Sequence, residues 1–295
     1  MNDLKTISDF ENAINKIKIK NKTIIDIVYS ITFHEHPICM LDLLLNILVY
    51  NHMNSILIIC SINENMYLAI KNIKFPPNIK INPIVRPTNA RMLWNTNLFA
   101  AHMNNLEYIK NANIHFTYFC TLASNEMFIK NVDINIIKDK IVLKKKEFKK
   151  TDPIKILDKL NSWVHYKPFM KNFNICSFFI KNGYEPFALQ HEGLILPQTI
   201  MYDILKLYKK DNFNNKTINI QDVLLEEVFI STYLHNNYDY NDYVLTYRNY
   251  DNYSVSHEEM KGTDLYSVKR VPRDINNDIR CFIRDNCIAY LASLS

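Results

Sequence analysis

Glycine is almost missing from this chain of 295 residues, occurring only as Gly183, Gly193 and Gly262. A Walker loop or a dinucleotide fingerprint needs several glycines so that backbone can close on a phosphate, and every such cradle is therefore excluded. A nucleotide bound here is held by side chains. Charge of one sign is also scarce in excess: 35 basic against 30 acidic residues leave +5, too little for a dedicated nucleic-acid binder. Nucleic acid is not expected as a partner. Cysteine is present without pattern. Cys39, Cys60, Cys120, Cys176, Cys281 and Cys287 lie among apolar residues with no CxxC and no metal-ligand spacing, and they read as reduced core thiols. No window of about 18 apolar residues occurs, and Met1-Asn2-Asp3-Leu4-Lys5 carries no apolar signal run. These absences predict a globular protein made and kept in a reducing cytoplasm, with no cofactor.

What is present suffices for a sizeable core, since 48% of residues are hydrophobic. The first half alternates two periodicities. Residues 23–33 are β-branched and aromatic, 38–51 have helical spacing through Leu41, Leu44, Leu45 and Leu48, and 55–60 form a short apolar run. That is a β-α-β unit. A polar helix over 63–71, a strand over 79–85, a long amphipathic helix within 90–110 and a strand over 116–122 follow. Strands alternating with helices predict an α/β protein with a mostly parallel central sheet flanked by helices, whose ligands bind beyond the carboxyl ends of the strands. His34, Glu35, Arg86, Ser124 and Asn125 converge there on this reading. The second half is less regular. A helix-rich stretch over 151–180 with a short strand at 174–180, a helix after Pro197 to about residue 210, and a tyrosine-rich, strand-like stretch over 238–253 are expected. No internal repeat and no linker interrupts the chain, which predicts one continuous domain.

Several constellations carry candidate chemistry. Glu226 and Glu227 interrupt the apolar run Val223-Leu224-Leu225-Glu226-Glu227-Val228-Phe229-Ile230-Ser231-Thr232. On a helix the flanking neighbours of Glu227 are Val223, Leu224, Ile230 and Ser231, none acidic, whereas Glu226 lies beside Asp222 and Phe229. Glu227 is thus the carboxylate expected to have a raised pKa and to act as a general base, unless one Glu is solvated and the other paired to a cation. Lys269, Arg270 and Arg273 bring three cations within five positions, either a site for a diphosphate or a solvated charged face. Residues 261–284 hold six basic side chains against three aspartates. Gln190-His191-Glu192-Gly193 shapes an acceptor site or makes a plain turn. His34-Glu35-His36 admits a metal, a substrate contact at the strand end or a structural role, but no third ligand stands at recognisable spacing, and no metal is assigned. The run Lys144-Lys145-Lys146-Glu147-Phe148-Lys149-Lys150 reads as a solvated connector, or else as a peripheral contact with an anionic membrane surface.

In order, these features resemble the core-2/I-branching family of N-acetylglucosaminyltransferases. Ile27-Val28-Tyr29-Ser30-Ile31-Thr32-Phe33-His34 with its following Leu-rich helix is similar to the family's opening strand ending in His. Phe119-Cys120-Thr121-Leu122-Ala123-Ser124-Asn125-Glu126-Met127-Phe128 occupies the place of its "LSGxDYPL"-like segment. Glu226-Glu227-Val228-Phe229-Ile230-Ser231-Thr232 is similar to its "DExxWAT" segment, and the cluster 190–193 falls where it has "GSxW". Glu226 replaces the Asp of that pattern, Ile230 its Trp, and the "GSxW" identities are absent. The resemblance implies a GT-A-like nucleotide-sugar-binding fold over 1–295, with a nucleotide-binding half at 1–130 and an acceptor and catalytic half at 151–295. It implies inverting sugar transfer from a UDP-sugar to a glycan or glycolipid, without a metal-binding DxD motif. Glu227 is then the base; Lys269, Arg270 and Arg273 hold the donor diphosphate; His34, Arg86 and Asn125 lie at the nucleotide; and Gln190, His191, Glu192 and Glu226 face the acceptor. A cytoplasmic microbial or virus-encoded branch fits the missing anchor and disulfides. The alternative is a non-catalytic glycan- or protein-interaction module on the same fold.

Overall fold

A computed structural model describes residues 4–33, 36–83, 97–148, 172–189, 191–214, 224–241, 244–248 and 254–293. After helix α1 (Ile7–Lys16) come strand β1 (Ile25–Phe33), helix α2 (Pro37–Tyr50), β2 (Ile56–Ile62), α3 (Glu64–Ile70), β3 (Ile79–Pro83), α4 (Asn97–Asn111) and β4 (Phe116–Ala123). These strands pair parallel in the order β3-β2-β1-β4. The order reverses at β1, between β2 on one side and β4 on the other, and such a switch point opens a crevice at the strand ends. A short strand, β7 (Ile195–Pro197), adds antiparallel to β4. The α/β class and mostly parallel sheet expected from alternating periodicities are therefore observed.

The sheet separates two cores because successive strand side chains face opposite ways. Ile27, Tyr29, Ile31 and Phe33 of β1 join the cluster that includes α1, α2 and the last helix. Val28 faces the other cluster, with Phe99, Phe119, Phe179 and Phe229. Helix α2 is apolar almost all round, as a helix covered on several sides must be. Its start is set by Pro37 and by the His36 ring, which accepts from the Ile38 amide at 3.4 Å. His36 thus has a capping role, while His34 and Glu35 lie outside the described residues.

The remaining elements are β5 (Met127–Phe128), α5 (Ile134–Lys140), β6 (Leu143–Lys145), α6 (Phe173–Asn182), α7 (Gln198–Lys209), α8 (Leu225–Asn237), β8 (Tyr238–Tyr240), β9 (Thr246–Tyr247), α9 (His257–Gly262), β10 (Ser267–Val268) and α10 (Asp278–Ser293). Two expectations are corrected. The run 174–180 is helical, in α6: the Asn172 side chain caps its start, accepting from the Ile175 amide at 3.2 Å, and Gly183 ends it at φ 71°. The basic run is solvated at Lys144 and Lys145 as expected, but it opens inside strand β6, paired antiparallel to β8, rather than as a connector. The strand-like reading of 238–253 is observed in its described parts, as the short strands β8 and β9. Residues 84–85, 149–171, 242–243 and 249–253, parts of other expected elements, lie outside the described residues. No helix among the described residues is long and apolar enough to cross a membrane.

Candidate functional site

The candidate site is assembled where β4 ends, at the switch point of the strand order. The Glu126 amide donates to the Ala123 carbonyl at 3.2 Å, and the Glu126 carboxylate accepts from the Ala123 amide at 2.8 Å, closing a tight turn into β5. Strand β5 pairs antiparallel with β10, and β10 runs parallel to β9. This three-stranded patch carries residues far apart in sequence to one place. Thr246 donates its hydroxyl to Glu126 at 2.9 Å and lies 2.8 Å from the Ser267 hydroxyl. Beyond β10, the Lys269 amide donates to the Tyr247 carbonyl at 2.9 Å and the Val271 amide to the Asn125 carbonyl at 3.1 Å. Between them Arg270 takes φ 65°, a left-handed turn that is strained for a side chain of its size.

The loop 191–193 packs along the same strand. Thr121 donates its hydroxyl to the His191 carbonyl at 2.7 Å, the Gly193 amide donates to the Thr121 carbonyl at 2.8 Å, and the Leu245 amide donates to the Gly193 carbonyl at 2.8 Å. Gly193 has φ 68°, and a Cβ there would lie 2.7 Å from the Thr246 backbone nitrogen and nearer still to its Oγ1. Only glycine lets β9 approach this loop, which fixes the position of Glu192.

Four ionisable side chains meet there. Glu192 pairs through Oε1 with the Lys269 ammonium and through Oε2 with Arg248 Nη1 at 3.0 Å. Glu126 is fully buried and Glu192 is 2% exposed. Burial raises the Glu126 carboxyl to about 7, against the lowering pull of Lys269, the Ala123 amide, Thr246 and Arg248. Burial likewise lowers the Lys269 ammonium, which Glu126 opposes and Arg270 and Arg273 reinforce. His191 is held well below its ordinary value by burial and by the charges of Lys269 and Arg248, so its ring is neutral although Nδ1 lies 3.7 Å from Glu192 Oε2.

A polar chain on the face toward α4 extends from this cluster. Ser30 of β1 lies 2.8 Å from His102 Nδ1 and accepts from the Asn105 amide at 2.9 Å, while Ser61 of β2 and Asn82 of β3 donate to Asn105 Oδ1 at 2.8 and 3.0 Å. One polar side chain from each of three parallel strands thus fixes α4 across the sheet. His102 is lowered to about 3 by burial and by His191.

Of the sequence candidates, the structure brings together Asn125, His191, Glu192, Lys269, Arg270 and Arg273. His34, Arg86 and Gln190 lie outside the described residues. Glu226 and Glu227 occupy the first turn of α8, where the Leu189 amide donates to the Glu227 carbonyl at 3.0 Å. Their environments reverse the expectation. Glu226 is the buried one, 2% exposed, raised to about 8 by burial and by the neighbouring Glu227 charge, with Oε2 making no hydrogen bond. Glu227 is half-buried. The neighbour rule failed because helix packing against the Phe99–Phe229 core, not the chain's own i±4 positions, decides which face is dry. Sequence reasoning gave no role to Glu126, Arg248, Thr246 and His102. No short motif marks them, since Thr246 and Glu126 stand 120 positions apart.

Among the described residues no three of His, Cys, Asp and Glu group to hold a metal ion. No protein-family model matches the chain, and no curated protein matches it.

Proposed function

We propose that this chain is an inverting glycosyltransferase that moves a sugar, N-acetylglucosamine or a related hexose or pentose, from a UDP-linked donor to a hydroxyl of a glycan or glycolipid. The observation that carries the reading is the bond from the Val271 amide to the Asn125 carbonyl at 3.1 Å. It ties the segment bearing Lys269, Arg270 and Arg273 to the end of β4, at the switch point where α/β sheets bind nucleotides. The likeness of segments 119–128 and 226–232 to the branching transferases supports the same reading.

In this scheme the acceptor oxygen attacks the anomeric carbon while its proton passes to the Glu227 carboxylate. The bond to the donor diphosphate breaks on the opposite face, and its electron pair leaves with UDP. Negative charge grows on the departing phosphates, so cations already fixed beside them lower the barrier. Arg270 and Arg273 supply that charge at the crevice. Lys269, already engaged by Glu192, sets the local potential from beneath.

The test is a panel of UDP and UDP-sugars scored by thermal stabilisation, followed by transfer from a labelled donor in the presence of EDTA. A ligand bound only by the native state raises the melting temperature with its concentration. Stabilisation by UDP and EDTA-resistant transfer are expected; no stabilisation by any nucleotide overturns the reading. One observation favours the non-catalytic alternative, an interaction module: Glu192 already neutralises Lys269 without a ligand. Glycan binding without UDP binding would support it.

A further inference from the structure

The buried cluster has a charge balance that an anion must disturb. Among the described residues Glu192 pairs with Lys269 and Arg248, and the fully buried Glu126 carboxylate feels the charge of both cations. Charges buried this deeply persist only while compensated. A phosphorylated ligand docking on Arg270 and Arg273 adds negative charge beside Lys269 without adding a cation. The cheapest compensation is a proton.

We propose that the Glu126–Lys269–Glu192 cluster takes up protons from solvent when a phosphorylated ligand docks at Arg270 and Arg273, so that anion binding in this crevice tightens as the pH falls. The proposal deepens the donor-binding reading and rests on it for the ligand class. Glu126 is the acceptor of choice. Its oxygens accept from the Ala123 amide and the Thr246 hydroxyl, which favour the carboxylate but leave it lone pairs on which a proton can sit. Among the described residues the charged and titratable neighbours of Glu126 act in opposed directions, and the incoming anion shifts their balance. Lys269 and Arg248 pull the Glu126 carboxyl down and so favour its ionised form while no ligand is bound, and Cys120 of β4 stays a neutral thiol, its pKa raised by burial and by Glu126. His191 and, behind it on α4, His102 are neutral and contribute no competing charge. Arg270 and Arg273 both depress Lys269, and an anion that covers them lifts that depression. The incoming charge therefore raises Glu126 and Lys269 together, and since they share protons the uptake belongs to the pair. The burial-raised Glu126 carboxyl places this titration near neutrality.

The test is titration calorimetry of the full chain with UDP, and separately with inorganic pyrophosphate, at pH 7.5 in buffers of different ionisation enthalpy. The expected slope corresponds to uptake of roughly half a proton, which by linkage makes affinity rise about tenfold between pH 8.5 and 6.5. Glu126→Gln should lose at least half of the uptake. If that variant does not fold, Lys269→Arg serves, because a guanidinium stays protonated throughout and the slope must still fall. Binding with no proton uptake, or with equal uptake in the variant, overturns the proposal and leaves the UDP reading intact. Pyrophosphate binding with uptake but no UDP binding upholds the proposal and removes the UDP reading. Binding of neither ligand overturns both.

Discussion

Glu192 joins Arg248 and Lys269, the residues that follow β9 and β10, through one carboxylate, at 3.0 Å to Arg248 Nη1. Two strands ends that are neighbours in the small sheet are thereby held to the loop that runs beside β4. The cluster forms one polar unit at the end of β4, and its parts, with the carboxylate pair on α8, set the measurements below.

Glu227→Gln is expected to abolish transfer, lowering kcat by about 100-fold or more, a loss typical of removing a general base, with UDP affinity nearly unchanged. Glu226→Gln should lose far less, because an amide is a near-isostere of the buried neutral acid. The kinetics of the two variants side by side decide between the carboxylates. Transfer surviving in Glu227→Gln but lost in Glu226→Gln would move the base to Glu226.

Much of the frame was legible in the chain. Residues 25–33 and 56–62 are β-branched runs buried on both faces, and central parallel strands demand that composition. Helix α6 was misread because Asn174-Ile175-Cys176-Ser177-Phe178-Phe179-Ile180 is too short for periodicity to separate helix from strand. Its ends held the answer, an Asn N-cap at 172 and a Gly at 183. The site was legible only where its cations and loop residues form runs. Glu126, Arg248 and Thr246 gain their meaning from a three-stranded sheet with two-residue strands, and no local pattern announces strands that short.

Gly193→Ala should destabilise the fold by about 2 to 4 kcal/mol, from left-handed backbone strain together with overlap on a neighbouring strand. The overlap falls partly on the Thr246 backbone nitrogen, at 2.7 Å from the added carbon. Thr246→Ala therefore restores only a fraction of the loss. Urea melts of the two single variants and the double variant measure that fraction; complete restoration would contradict the backbone clash.

Asp42 and Arg280 pair at 2.9 Å with exposures of 1% and 0%, and Arg280 Nε donates to the Pro272 carbonyl at 2.8 Å. The pair thus anchors the segment that carries Arg270 and Arg273. Asp42→Ala leaves a buried guanidinium without its main counter-charge, at a cost of about 3 to 5 kcal/mol. Asp42→Leu with Arg280→Met removes both charges and should be less destabilised than Asp42→Ala. Because the Pro272 anchor goes with the arginine, the double variant should still lose UDP affinity while it folds. Unchanged affinity would detach the anchor from the site.

Glu226 makes stability itself depend on pH in a predictable direction. Its folded pKa of about 8 lies above the ordinary value of 4.5, so the folded state holds the proton more tightly than the unfolded chain does. The contribution is fully favourable below pH 4.5 and is lost progressively as the pH rises toward 8, where the native state must either keep a costly proton or bury a charge. Gln carries no proton to lose. Glu226→Gln should therefore match the wild type near pH 4.5 and exceed it near pH 8, on the order of a few kcal/mol. Thermal melts of both proteins across that range read the difference directly. A constant offset at all pH values would mean that Glu226 titrates normally in the folded protein, and that its burial is relieved by motion of the first turn of α8.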